Sequence, residues 1–152
     1  MRRNISKNIG KFITVALLGY GLIRIGVGSL LLGQEIGVLD FEAFRQPIKD
    51  IGDFLARSAD KQLLPVTVAS YVSYIAIMGV VLSVGAFRSL KNQSFGLSFI
   101  GAFLAMYAFL FVNFQTINPK VIHLAVCTVL FGVLLWLQHT QPNVAQQNAR
   151  SR

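Results

Sequence analysis

"GYGLIRIGVGSLLLGQE", residues 19–35, decides how this chain is read. Up to Gly33 it holds only apolar, aromatic and small residues, with one exception, Arg24. The same character extends back to Phe12, which makes a first span of Phe12–Gly33. A bilayer core needs about 20 such residues in a helix. Counted from Lys11, Arg24 then lies well inside the hydrocarbon. A charge there costs at least about 2.5–3.5 kcal/mol on insertion scales. Whatever receives that guanidinium carries most of the chain's functional information.

Three more stretches of spanning length follow: Pro65–Phe87, Phe95–Phe114 and Val121–Leu137. The 152 residues are 54% hydrophobic and only 13% charged, where a soluble domain runs near roughly a quarter charged. The expected fold is all-α, a four-helix transmembrane bundle over residues 1–138, with residues 139–152 as a disordered polar tail. The basic start (Arg2, Arg3, Lys7, Lys11) resembles that of a signal peptide. Its apolar run is too long for one, however, and no small-residue cleavage site follows. A retained signal anchor is expected.

The formal charge of +8 is distributed by topology, which argues against nucleic acid as a partner. The N-terminal tail, the link Arg88–Lys91 and the C-terminal tail hold eight Lys and Arg and no acid. All six acids, Glu35, Asp40, Glu42, Asp50, Asp53 and Asp60, lie between spans one and two. The positive-inside rule then puts both termini in the cytoplasm, in a multi-pass protein of a cell membrane of the bacterial inner-membrane kind. Arg45, Lys49, Arg57, Lys61 and Lys120 would lie outside. The single cysteine, Cys127, permits no internal disulfide and reads as core packing. Trp136 reads as an interface anchor.

The link from Gln34 to Leu64 has a pattern of its own. Phe41, Phe44, Ile48, Ile51 and Leu55 recur at helical steps, with Phe54 beside them, and charges fill the other face. An amphipathic helical segment is expected at about residues 40–62, lying on the membrane surface or roofing the bundle. Pro47 is expected to start a helix there or to break one into two. The remaining links, "RSLKNQS" and "QTINPK", are short, so spans two to four are sequential antiparallel neighbours. Asn118 and Pro119 suit the N-cap and first turn of span four.

On a helical wheel, Gly19, Gly26, Ser29, Gly33 and Gly37 share one narrow face of span one, which suits close packing against a neighbouring span or a second copy. Arg24 lies opposite, on a stripe with Gly21, Gly28 and Glu35. Arg24 and Glu35 are three turns apart, roughly 16 Å along the axis, too far for a comfortable direct pair. Spans two to four contain no acid. By depth, the neutral groups nearest Arg24 are Tyr74, Tyr107 and Thr128. Ser70, Tyr71, Asn113 and His123 come nearer the outer surface, with Glu35. Arg24, Glu35, Tyr74, Tyr107 and His123 are therefore the candidate ligand-binding residues. An outward-opening site for an anion, a carboxylate or a quinone-like carbonyl stands beside a purely structural arginine and a partner subunit's carboxylate. No convergent metal ligands, nucleophile–base pair, phosphate-cradling loop or paired cysteines are present, so no catalytic or metal residue is assigned. The lone His123 more often satisfies an interface than a metal.

"LIRIGVGSLLLG", an amphipathic link and "YVSYIAIMGVVLSVGAFRSL" together resemble the first half of DoxX-type small four-helix membrane proteins. In that family an Arg sits in an apolar, Gly-bearing first span, and the second span ends in a Gly–aromatic–Arg turn, here Gly85, Phe87 and Arg88. The chain departs from the pattern at Gln34–Glu35, where the family often carries a basic residue, and in its longer link. The resemblance implies a redox or quinone-associated membrane protein, with a quinone or lipid-like ligand as the one cofactor class. The residues themselves lead first to a non-enzymatic structural or accessory subunit. Its expected partners are membrane lipids, further copies of itself or a larger membrane complex. Solute permeation is least supported, since no polar path crosses all four spans.

Overall fold

The computed structural model describes residues 2–91, 95–115 and 120–139. Five α-helices appear in the order α1 (Arg2–Glu35), α2 (Glu42–Arg57), α3 (Val68–Leu90), α4 (Phe95–Phe114) and α5 (Val121–His139), with a short 3-10 turn at Ala59–Lys61 between α2 and α3. No strand occurs among the described residues. Four of the helices are long and apolar enough to cross a membrane: Asn8–Glu35 within α1, α3, α4 and Val121–Gln138 within α5. The chain is an all-helical, multi-pass bundle with α2 as the additional amphipathic element. Asn118, Pro119 and the tail from residue 140 onward lie outside the described residues.

The most extensive contact between helices runs along α1 and α3. A Cβ at Gly28 would sit 3.0 Å from the Ala76 amide nitrogen, and one at Gly79 would sit 2.7 Å from the Gly21 carbonyl oxygen. A Cβ at Gly21 would collide with the Ser83 hydroxyl. In a bilayer the lipid is as apolar as any side chain, so such close approach and its dispersion contacts hold helices together. A second crossing joins α3 to α4, where a Cβ at Gly85 would lie 2.9 Å from the Gly96 carbonyl oxygen. The core between these seams is built on Leu17, Met78, Leu82, Ala86, Ile100, Phe103 and Tyr107. Contact between α1 and α5 is slight by comparison, and Gly10 faces Leu137 at the far end of the bundle from α2.

Within the chain, the stripe expected to pack on α1 does not meet a neighbouring span, which leaves a second copy as the alternative for it. A Cβ at Gly19 or Gly26 would meet nothing within 4 Å, and Ser29 is exposed. Gly33 packs, but beneath Leu39 of the following link, not against a span. The helix-packing glycines inside the chain are Gly21 and Gly28, on the stripe that also carries Arg24.

At the end of α1 the chain reverses through Gly37, whose φ of 76° is the left-handed conformation that favours glycine at a helix C-terminus. The Gly33 carbonyl accepts from the amides of Val38 and Leu39 at 2.9 and 3.0 Å. Gln34 then accepts from the Phe41 amide at 2.7 Å, and Asp40 pairs with Arg45 at 2.9 Å. Pro47 neither starts nor breaks α2, which runs through it. The bond it cannot give is the one to the carbonyl of Ala43, an exposed residue where solvent can serve instead. Beyond α2, Asn113 of α4 holds the link by accepting from the Leu64 amide at 2.8 Å and donating to the Leu64 carbonyl at 3.2 Å. Thr67 caps α3 by accepting from the Ser70 amide.

Candidate functional site

Because Gly21 and Gly28 draw α1 against α3, the residue between them is held at the inner edge of the bundle. That residue is Arg24. Its Nη1 donates to the Tyr20 hydroxyl at 2.9 Å. Its guanidinium carbon lies 4.7 Å from the centroid of the Tyr107 ring, 5.3 Å from that of Tyr20 and 5.6 Å from that of Phe103. Rings at these distances attract the cation through their quadrupoles, more strongly where water is excluded. Arg24 Nε is buried and donates to nothing. Among the described residues, the bond to Tyr20 is the one hydrogen bond this side chain makes.

Arg24 also lines a cavity of about 320 Å³. Along α1 the wall is Tyr20, Ile23, Arg24, Val27, Gly28 and Leu31; α3 adds Tyr71, Val72 and Ile75. The α4 wall is Tyr107, Leu110, Phe111 and Phe114, while Lys120 and His123 stand at the start of α5. Ile51 and Phe54 of α2 lie across one end. There Phe54, Tyr71 and Phe114 form a triangle of rings with centroids 5.1–6.5 Å apart. The amphipathic helix therefore roofs the site, with its apolar stripe inward and its charges outward.

The lining is mostly apolar and aromatic, with three phenols, one histidine and two cations. No carboxylate lines it among the described residues. Such a wall receives a largely apolar molecule and offers positive, hydrogen-bond-donating groups to one polar end. Comparison with known proteins finds no family model, no curated protein and no solved structure that matches this chain. The chemistry of the cavity therefore rests on its own residues.

Three of the five candidate ligand-binding residues, Arg24, Tyr107 and His123, come together here. Tyr74 does not line the cavity: its hydroxyl donates to the Met106 carbonyl at 2.9 Å and its ring packs on Phe109. The reason is angular. Ala76 and Gly79 face α1, and Tyr74, two residues before Ala76, is turned by about 200° around α3. Glu35 is also outside it, exposed at the end of α1 beyond the last lining residue, Leu31. Thr128 donates back to the Leu124 carbonyl at 2.8 Å on an exposed face of α5.

Tyr20 is not among the residues expected near Arg24, although it stands one turn before it, the spacing at which helical side chains meet. Lys120, which by sequence only ends a link, is the second lining cation. No group of three or more metal-ligating residues occurs among the described residues.

Proposed function

We propose that this small membrane protein binds a lipophilic molecule with a polar, hydrogen-bond-accepting head in the cavity around Arg24. One observation carries the reading. Arg24, half-buried and with a buried, unpartnered Nε, borders an apolar cavity whose described walls hold no carboxylate. A structural arginine would be expected to spend its donors on the protein, because each buried donor left unpaired costs about 1–3 kcal/mol or more. The resemblance to DoxX-type proteins supports the same direction, since it implies a quinone or lipid-like ligand. Placement in a bacterial inner membrane with both termini cytoplasmic is part of the proposal, on the charge asymmetry of the links.

Mass spectrometry of the purified chain tests this. The protein extracted in mild detergent should carry a lipophilic molecule enriched over bulk lipid, and Arg24→Leu should lose it. Equal retention by Arg24→Leu, or no enrichment in the parent protein, would refute the reading. Reporter fusions at each terminus test the orientation.

Association with further copies or a larger complex is the second reading. It is favoured by the uncovered small-residue face at Gly19, Gly26 and Ser29. Cross-linking in native membranes should then give a discrete higher band that Gly26→Leu abolishes; a monomer in both would remove this reading.

A further inference from the structure

Building on the proposed ligand site, we infer that its ligand is a single-chain carboxylate amphiphile that reaches Arg24 sideways from the lipid, between α1 and α5. Two independent features of the site support this, the shape of the donor set and the position of the opening.

The Arg24 guanidinium carbon lies over the rings of Tyr20 and Tyr107, and Nη1 is committed to the Tyr20 hydroxyl. What is left is the side-on edge, Nε with Nη2; Nε is buried as well as unpartnered, so a ligand engages both donors only as the side chains around Nε shift aside. Two parallel N–H groups on such an edge match the two oxygens of one carboxylate. A quinone carbonyl or an alcohol accepts at one oxygen and leaves the second donor unused. Lys120 adds a second cation to the lining, and no described lining residue is acidic. A ligand bearing its own negative charge is the complement of this lining. At about 320 Å³ the cavity is near the small end of ligand pockets, which run about 300–1,000 Å³. It suits one chain, not the two of a phospholipid.

The opening lies in the bundle wall. Ile23 and Val27 line the cavity, yet they are 64% and 47% exposed. On the other side Lys120 and His123 are both lining and exposed. The seam between α1 and α5 is thus open along these residues, while Phe54, Tyr71 and Phe114 stack across the end under α2. An amphiphile already in the bilayer would pass its carboxylate and the first part of its one chain through the seam into the cavity, past Ile23 and Val27, and leave the remainder in the lipid.

The test is competition binding to the full-length protein in detergent micelles, with radiolabelled palmitate as the probe. Unlabelled palmitate, hexadecanol, a two-chain phosphatidic acid and a short-tailed quinone serve as competitors. Palmitate should saturate one site, and the other three should compete about ten-fold or more weakly, the scale of a lost charge-assisted bond. Arg24→Leu should lose binding by a similar factor. Val27→Trp, which narrows the seam and leaves Arg24 in place, should slow association; this variant serves if Arg24→Leu does not fold, as judged by circular dichroism. Hexadecanol or the quinone competing as well as palmitate would overturn the carboxylate assignment and leave the ligand site standing. Phosphatidic acid competing as well would overturn the single-chain assignment. Unaltered kinetics in a folded Val27→Trp would overturn the sideways route. If none of the four compounds binds saturably, both the inference and the proposed ligand site fall.

Discussion

Replacing Gly79 with alanine tests whether the α1–α3 seam is what positions Arg24. A Cβ at residue 79 would lie 2.7 Å from the Gly21 carbonyl oxygen, 2.8 Å from the Ile25 amide nitrogen and 3.0 Å from the Arg24 Cβ. The first two are helix backbone and cannot rotate away. Ordinary contact begins near 3.4 Å, so the helices must part locally by roughly 0.7 Å. A gap of about 0.5–1 Å forfeits a quarter to a half of each dispersion well along its length. That length includes Gly21 against Ser83 and Gly28 against Ala76. Overpacking of this kind costs about 1–3 kcal/mol.

Gly26→Ala is the matched control, because its Cβ would meet nothing within 4 Å. It should be neutral or stabilising, by at most about 1 kcal/mol through helix propensity. Unfolding by sodium dodecyl sulfate in mixed micelles, followed by far-ultraviolet circular dichroism, compares the two. The midpoint should fall for Gly79→Ala and hold or rise for Gly26→Ala. Ligand retention should fall with the first variant alone, because the Arg24 Cβ borders the added methyl. If both variants unfold at the same detergent fraction, or Gly26→Ala is the weaker, the seam has been assigned to the wrong stripe of α1.

Three further outcomes are expected. Phe54→Ala removes the ring whose centroid lies 5.1 Å from that of Phe114; Phe54 is half-buried, so the cost should be about 1.5–3 kcal/mol, below that of a fully buried Phe. Hydrogen exchange should quicken across α2 while the core of α3 and α4 keeps its protection. Asn113→Ala leaves both Leu64 backbone groups without their partners at 2.8 and 3.2 Å, a loss of about 1–3 kcal/mol, read as faster exchange of the Leu64 amide. Asp40 is held below its ordinary carboxyl pKa chiefly by its hydrogen bonds from Arg45, with help from Gln34. A depressed carboxyl pKa stabilises the folded link above the ordinary carboxylate range, and that stabilisation is lost as pH falls through the folded value. Protection of the Phe41 amide should therefore drop in acid, and Asp40→Asn should remove that pH dependence.

Lipid-facing and protein-facing surfaces of a spanning helix are equally apolar, which limits what its sequence can say about packing. The four spans were legible because length and lack of charge are one-dimensional properties. α2 was legible because Phe44, Ile48, Ile51 and Leu55 stand against a charged face, the contrast on which helical periodicity depends. On α1 no such contrast exists. It carries two glycine series at seven-residue spacing, Gly19–Gly26–Gly33 and Gly21–Gly28, and periodicity cannot rank them. What ranks them is the neighbour: Ala76, Gly79 and Ser83 on α3 form a small-residue face that only Gly21 and Gly28 meet. The same limit explains Tyr74. Its depth was readable from position along α3, but its direction was not, because that depends on which face of α3 receives α1. Tyr107 and His123 were found by depth and happened to point inward as well. The roof position of Phe54 and the Asn113 clamp depend on the path of a long link, which no local pattern encodes.

The energetics of Arg24 separate what keeps the residue in the bilayer from what it is available to bind. Its minimum insertion cost, about 2.5–3.5 kcal/mol, is comparable to what its protein surroundings return. A desolvated ring contact contributes about 2 kcal/mol, and the bond from Nη1 to the Tyr20 hydroxyl about 1.5–3 kcal/mol. These terms suffice for the charge to reside in the membrane. They come from the rings around the guanidinium carbon and from the one bond at Nη1, and none acts on Nε. A lysine at this position would gain from the same rings, as a point charge without a planar edge. Arg24→Lys is therefore the sharper probe. It should preserve folding and much of the local charge, yet lose the two-point match to a carboxylate. A folded Arg24→Lys protein that binds palmitate as tightly as the parent would show that charge alone, and not the free edge, is what the site offers.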